Sequence, residues 1–229
     1  MAREPHFGPV LFRFLADLRR HNDRAWFQAQ RALYEAEVRD PCLRFIADFA
    51  PRLEKISPHF LADPRPVGGS FFRIHRDVRF SRDKRPYKTH AGIHFRHADA
   101  DGVHAPGFYL HLEPGNAFLG IGIWHPDPPS AARIREAILG DPARWQRILA
   151  RRPFRTAFAL AGESLKRPPR GVPPDHPLVC DLMRKDFIAI AELREREVCT
   201  PDFLDRFQRR CNAGAAFAAF LSDALELAW

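Results

Sequence analysis

The spacing of the hydrophobic residues changes twice along the chain, and this limits the fold more than any other feature. In the first 56 residues the apolar positions recur every three or four residues, as in Leu11, Phe14 and Leu18, which is typical of amphipathic helices. From about residue 70 to 125 they alternate with polar residues, which is typical of strands with one buried face. Helical spacing returns from about residue 128. Helices, a sheet and helices again in chain order predict an α+β fold.

The alternating region predicts an antiparallel sheet of four to six strands, because its segments are short and joined by polar links. The segments lie near residues 70–80, 93–96, 108–113 and 119–124, and another is expected at Phe187–Leu193. One face of this sheet should be polar, and the N-terminal and C-terminal helices should pack on the other. We expect a single domain over 1–229, built from helices about 8–56, the sheet about 70–125, helices, a proline-rich loop and a last strand about 128–195, and a C-terminal helix about 201–227.

Composition excludes several classes of protein. Hydrophobic residues make up 45% of the chain, which is too many for a disordered protein. The four cysteines show no metal-binding spacing and are expected to be free thiols in the cytoplasm. No apolar run has the length of a signal peptide or a membrane span, so we expect no membrane partner. The common nucleotide, hydrolase and metalloprotease motifs are absent from the sequence, so no cofactor and no reaction is predicted.

Positive charge is concentrated in two short stretches. The whole chain carries a formal charge of +8, but residues 71–97 hold eight basic and two acidic residues, and residues 151–170 hold six and one. Clustered cations of this kind bind phosphate or carboxylate groups. We therefore predict a small anionic ligand, held by side chains of the basic segment 73–88 and of the 165–177 loop. The candidate anion ligands are Arg73, Arg76, Arg79, Lys84, Tyr87, Lys88, Lys166 and Arg170.

The 165–177 loop contains five prolines and should be stiff. We expect it to close over the polar face of the sheet, so that both groups of cations converge on one anion. In the first half of the basic segment 73–88, alternation predicts a strand with Arg73, His75, Asp77 and Arg79 on one face. Arg76 would then lie on the apolar side and need a carboxylate or several carbonyl groups as partners. The second half should be turn-like, with Ser81 or Asp83 capping a local turn that presents Lys84, Tyr87 and Lys88. An Arg/Asp network that is purely structural is the alternative.

Acid–base candidates are named by their location on the predicted polar face or beside it. They are His75, Asp77, Tyr87, His111 and Glu113. Gly120 and Gly122 should lie on the same face and either leave room for a ligand or reflect a local twist of the sheet. His75, His94 and His111 share this face in the prediction, but hydrogen-bonded imidazoles are favoured over a metal site, and no metal is predicted.

The basic segment reads R-x-x-R-D-x-R-F-S-x-D-K-x-P-Y-K from Arg73 to Lys88. With it come the Phe14-Leu15, Trp26-Phe27 and Tyr109–Gly115 patterns, and further similar stretches at 165–171, 175–177 and 184–187. Together these motifs resemble a widespread family of bacterial and fungal proteins, about the size of this chain and known only as a domain of unknown function. The resemblance implies the fold of that family and a cytoplasmic protein, and it implies no reaction.

Three functions remain open from the sequence. The favoured one is an enzyme or ligand-binding protein acting on a phosphorylated or carboxylated small molecule. The second is a nucleic-acid-associated protein that uses the basic segment for phosphates and Phe71, Phe80 or Tyr87 for base stacking. The third is a structural or interaction module without a ligand.

Overall fold

The computed structural model describes residues 4–99 and 105–229. The helices are α1 Pro9–Arg20, α2 Arg24–Ala29, α3 Arg31–Tyr34, α4 Asp40–Glu54, α5 Pro128–Gly140, α6 Pro142–Ala150, α7 Arg152–Ala157, α8 Val179–Leu182, α9 Glu195–Val198 and α10 Phe203–Ala224. The strands are β1 Ala91–Arg96, β2 Gly107–Leu112, β3 Ala117–Ile123, β4 Ala159–Ala161 and β5 Phe187–Leu193. The prediction that the chain carries no signal peptide includes residues 1–3, which lie outside the described residues.

The five strands form one open antiparallel sheet in the order β1-β2-β3-β5-β4. The predicted α+β fold and the antiparallel sheet are thus confirmed. The strand that was predicted at residues 70–80 does not form. The edge strand β4 was not predicted, because its three residues are too few to show an alternation.

Local sequence signals place several helix ends. The side chain of Asp23 accepts a hydrogen bond from Trp26 N at 2.9 Å and caps α2, and Asp141 caps α6 in the same way through Arg144 N at 2.8 Å. Pro51 lies inside α4, which continues through it to Glu54. The helical irregularity lies instead at Glu35–Arg39, where one wide π-helical turn separates α3 from α4.

Helices from both ends of the chain cover the same face of the sheet. On this face α10 packs across β3 so closely that Gly214 lies against Ile121. From the N-terminal half, Phe49 of α4 packs on Phe95 of β1 and on Phe207 of α10, each with ring centroids 4.9 Å apart. The opposite face carries alternate residues of the strands and is polar over β1 and β2, as predicted. In the described ranges, no helix is both long and apolar enough to cross a bilayer.

Candidate functional site

The basic segment 73–88 is an irregular loop attached to the edge of the sheet. Just before it, Phe72 N donates to Gly92 O at 2.9 Å and His94 N donates to Ser70 O at 2.8 Å. The chain then pairs with itself, since Arg76 N donates to Pro86 O and Lys88 N donates to Ile74 O, both at 2.8 Å. The predicted strand, with its charged side chains in a row on one face, is therefore wrong.

Two aspartates explain why the alternation did not produce a strand. Asp77 accepts hydrogen bonds from the backbone N of Arg79 at 3.2 Å and from its guanidinium at 2.7 Å. Asp83 repeats the arrangement with Arg85, at 3.0 Å and 2.7 Å. A side chain that bonds the backbone two residues ahead stabilises a turn in competition with a strand ladder.

These contacts engage three of the predicted anion ligands. Arg76 donates to Asp83 at 2.6 Å and to the Arg85 carbonyl at 3.3 Å. Arg79 is held by Asp77, and Lys84 Nζ donates to the Val78 carbonyl at 3.0 Å. The guanidinium bonds hold the pKa of both aspartates well below the usual range. The turn is thus built from ion pairs that are satisfied without any ligand.

Tyr87 and His75 face the N-terminal helices rather than the polar face of the sheet. Tyr87 is 3% exposed and stacks on Phe27 at 4.2 Å, and its backbone N and O both bond the Asn22 side chain at 3.0 Å. The His75 ring packs against the same two aromatic rings. The prediction that His75 shares the polar face with His94 is corrected, because the strand that would place it there does not form.

The 165–177 loop lies at the far edge of the sheet from the basic segment. It follows β4 and is anchored by Leu165 N, which donates to Met183 O at 2.7 Å, and by a bridge between Ser164 and Arg184. The basic segment adjoins β1, and three strands separate β1 from β4. Among the described residues no hydrogen bond or ion pair joins the two segments. The prediction that Lys166 and Arg170 converge with the basic segment is therefore wrong.

A chain of polar side chains runs along β2 on the open face of the sheet. Tyr109 Oη lies 3.0 Å from His111 Nδ1, and His111 Nε2 lies 3.3 Å from Glu113 Oε2. These residues occur at every second position, so the pleat of the strand places all three on one side. His111 is only 8% exposed, although it belongs to the face without helices.

The state of Glu113 determines where the protons lie. Burial raises its pKa, but hydrogen bonds from Asn116, His111 and Thr89 outweigh this effect and keep the pKa below the ordinary value. An ionised carboxylate only accepts hydrogen bonds, so Nε2 of His111 carries the proton shared with Glu113. His111 Nδ1 then accepts from the Tyr109 hydroxyl. Tyr109, His111 and Glu113 therefore form a directed relay, named here the β2 relay.

The imidazoles around the β2 relay are neutral at pH 7. The His90 ring lies 4.4 Å from that of His111, and burial lowers the pKa of His90 to about 4. Burial and the nearby Arg96 charge likewise lower the pKa of His94 to about 4. Burial lowers the pKa of His111 against the opposing effect of Glu113. Burial also raises the pKa of Tyr109, which keeps its hydroxyl protonated.

Glycines on the neighbouring backbone make room for these groups. A Cβ atom at Gly92 would lie 2.6 Å from Tyr109 Oη, so any larger residue there would displace the hydroxyl. Gly120 lies opposite Tyr109, and a Cβ there would meet ordinary contacts, the nearest at 3.7 Å. Gly122 has a φ of +122°, and a Cβ there would collide with the Phe187 carbonyl. A side chain at Gly120 would thus meet neighbours at ordinary contact distance, whereas backbone geometry explains Gly122.

Lys88 lies near the β2 relay, and the Arg73 charge lies close to Lys88. The Lys88 ammonium is 5.2 Å from the centre of the Phe72 ring and donates to the Arg73 carbonyl at 2.9 Å. The Phe72 ring is in turn 5.9 Å from the Tyr109 ring. Burial and the Arg73 charge lower the pKa of Lys88. Within the described part of the chain, neither cation is paired with a carboxylate.

Of the eight predicted anion ligands, the structure thus leaves Lys88 near the polar face, with the Arg73 charge close to it, together with the predicted acid–base residues His111 and Glu113. Sequence reasoning did not make Tyr109 a candidate, although it lies two residues before His111 in the same strand. The same reasoning missed Thr89, His90 and Asn116, because these lie in the turns that flank β1 and β2, where alternation carries no signal.

A group of potential metal ligands lies elsewhere, at His59, His97 and Asp99. Both ring nitrogens of His97 are already engaged, one with Ala228 O at 2.8 Å and the other with Asp99 N at 3.2 Å. Metal binding there would have to break one of these hydrogen bonds.

Comparison with protein families matches residues 10–220 to DUF2461, described as a conserved hypothetical protein. The chain belongs to the DUF2461 family. The resemblance to a family of unknown function is thereby confirmed, and the matched span of this DUF2461 protein includes the basic segment 73–88 and the β2 relay. Searches of the curated proteins and of the solved structures found no match.

Proposed function

We propose that this DUF2461 protein binds a small phosphorylated or carboxylated molecule on the open sheet face and exchanges a proton with it through the β2 relay. The observation that carries the proposal is the position of Lys88, a cation without a carboxylate partner in the described part of the chain, near a hydrogen-bonded Tyr–His–Glu chain, with the Arg73 charge close to Lys88.

Lys88 and Arg73 would hold the anionic group. Hydrogen bonds between ionised partners are about twice as strong as neutral ones, and partial burial strengthens them further. Lys88 is half-buried against Phe72, and its pKa is lowered, so an anion beside it would relieve an unfavourable charge. Arg73 is exposed and adds a guanidinium that can bind two oxygens at once.

The β2 relay would supply the proton. In one direction Tyr109 gives its hydroxyl proton to the bound molecule while a protonated His111 returns a proton from Nδ1 to the Tyr109 oxygen. In the other direction Tyr109 takes a proton from the bound molecule as it passes its own hydroxyl proton to His111 Nδ1. In the second case His111 becomes an imidazolium, which the ionised Glu113 stabilises through Nε2. Thr89 and Asn116 keep Glu113 in place and ionised.

The alternative of nucleic-acid binding by the basic segment itself has weaker support. Arg76, Arg79 and Arg85 are paired with aspartates, which reduces their attraction for phosphate. Of the proposed stacking residues, Phe71 and Tyr87 are buried, whereas Phe80 is 95% exposed. One exposed ring beside neutralised arginines offers little to a single strand.

The proposal predicts stabilisation by one class of anionic metabolite. Thermal unfolding of the purified protein with panels of phosphorylated and carboxylated compounds should show a hit, which contributes about 2.7 kcal/mol at a concentration of 100 Kd. The variant Lys88→Ala should then bind the hit about 10- to 100-fold more weakly, because it lacks a charge-assisted hydrogen bond.

Arg82→Ala is the matched control, since Arg82 is an exposed cation of the same segment. It should change the affinity less than about twofold, within the range of a surface substitution. In His111→Gln the ligand should still bind while proton exchange with it, followed by isotope labelling, stops. If no anion stabilises the protein, or if both cation variants weaken binding equally, the proposal is wrong.

A further inference from the structure

We propose that the arginine-lined cavities beside α10 bind the phosphate backbone of a nucleic-acid duplex, at a surface separate from the open sheet face. Two cavities, of about 510 and 540 Å³, lie where α7 and α6 pack against α10. Seven arginines line them: Arg152, Arg206, Arg209 and Arg210 in the first, and Arg144, Arg147 and Arg151 in the second. Glu197 is the one acidic residue among the described lining residues.

Three of these arginines have carboxylate partners. Arg210 bonds Glu197 at 2.8 Å, Arg206 bonds Asp202 at 2.7 Å, and Arg144 bonds Asp223. Arg210 Nη1 is nevertheless buried without a hydrogen-bond partner in the described structure. The positive charge of the first cavity is therefore only partly compensated.

The other four arginines provide the charge for a ligand. Among the residues that the structure describes, the side chains of Arg147, Arg151, Arg152 and Arg209 make no ion pair and no hydrogen bond. All four are exposed. Cations held at a cavity without acidic partners attract anions at long range and bind phosphate at short range.

The geometry suits a linear ligand better than a single phosphate. The first cavity is lined on α10 from Arg206 to Ala213 and the second from Ala216 to Ala219, a length of about 20 Å at 1.5 Å per residue. Arg151 and Arg152 are adjacent and line one cavity each, so the cavities meet at the junction of α6 and α7. One strand of a duplex places about six phosphates over this length.

The lining chemistry favours the backbone over the bases. Five of the nine lining residues other than arginine are alanines, at positions 150, 157, 213, 216 and 219, and none of the lining residues that the structure describes is aromatic. Without aromatic rings, base stacking is not available, which disfavours a single strand. Contacts to phosphate alone predict binding that is independent of base sequence.

Fluorescence anisotropy with labelled DNA and RNA duplexes at increasing salt concentration tests this inference. Four arginine–phosphate contacts predict a slope of log affinity against log salt of about −3.6, which is about a 100-fold loss from roughly 50 to 200 mM salt. The variant Arg147→Ala/Arg209→Ala removes one free arginine from each cavity. It should reduce the slope by about 2 and the loss to about 10-fold.

Arg13→Ala/Arg19→Ala removes the same charge from the exposed side of α1 and should leave the slope unchanged. The inference is wrong if neither duplex binds at low salt, if both double variants reduce the slope equally, or if inorganic polyphosphate binds and the duplexes do not. Lys88→Ala should bind duplexes like the unaltered protein, so this result is independent of the small-molecule proposal.

Discussion

Replacing Asp186 with alanine is expected to lower the free energy of unfolding by about 3–5 kcal/mol, the range for breaking a buried charged contact. The carboxylate is completely buried at the start of β5. One oxygen accepts from His125 N at 2.8 Å and lies 3.0 Å from His125 Nδ1, and the other accepts from Glu163 N at 2.8 Å. It therefore joins the ends of β3 and β4 to β5.

Its removal would leave two backbone N–H groups without an acceptor, each at a cost of about 1–3 kcal/mol. It would also release His125, whose φ of +49° is uncommon for a residue other than glycine. Gly162 shows how closely this region is packed, since a Cβ atom there would contact the Asp186 side chain. No larger side chain can take the space without moving the β4 end.

Urea unfolding followed by circular dichroism measures the effect. Asp186→Asn keeps one acceptor oxygen and should lose less stability than Asp186→Ala. Asp175→Ala, an exposed aspartate in the 165–177 loop, should change the free energy by no more than about 0.5 kcal/mol. A loss below about 1 kcal/mol for Asp186→Ala would show that the buried carboxylate is not needed to join the strands.

Acidification from pH 7 to pH 5 should destabilise the protein by about 2 kcal/mol through His94 alone. The His94 pKa is about 4 in the folded protein against 6.5 for the free side chain, because burial disfavours the imidazolium. As the pH falls below 6.5, the unfolded chain takes up a proton that the folded chain does not. The contribution of His94 to the free energy of unfolding is thus fully present above pH 6.5 and is lost progressively as the pH falls to about 4.

His90, whose pKa is also about 4, adds to the loss over the same pH range. The paired aspartates of the basic segment titrate at lower pH, because their guanidinium partners depress their pKa values, so they do not contribute between pH 7 and 5. In His94→Gln the difference in unfolding free energy between the two pH values should shrink by about 2 kcal/mol.

His21→Gln is the matched control, since His21 is exposed at the end of α1, and the pH dependence should stay as in the unaltered protein. Equal behaviour of the two variants would mean that His94 is solvated in the folded state. The packing of its ring against Phe72, and of its Nε2 against Gly107, argues for burial.

The β2 relay could largely be predicted from the sequence, whereas the arrangement of the cations in the basic segment 73–88 could not. His111 and Glu113 are two residues apart in a strand with clear alternation, so period-two geometry alone puts them on one face. Arg76 and Arg79 also occur in an alternating pattern, but Asp77 and Asp83 bind the backbone locally and turn the chain. Short-range side-chain bonds of this kind override the pattern, and the pattern does not reveal them.

The buried carboxylate of Asp186 illustrates a second kind of failure. Asp186 lies in the 184–187 stretch that resembles the family, but the residues next to it in the sequence do not indicate that its side chain is buried. Its two backbone partners, His125 and Glu163, are 61 and 23 residues away along the chain. A contact at such a separation depends on strand order, which hydrophobic spacing does not specify.

The sequence by itself determined the order of the long helices and the main strands and the polar face of the sheet, because burial imposes its periodicity on each long element, and the short polar links made the sheet antiparallel. The tertiary structure alone decided that β4 joins β5 at the far edge. It thereby separated the 165–177 loop from Lys88 and placed the free arginines of α6 and α7 beside α10. Charges interact through space, so their partners depend on how the elements pack and not on their positions in the chain.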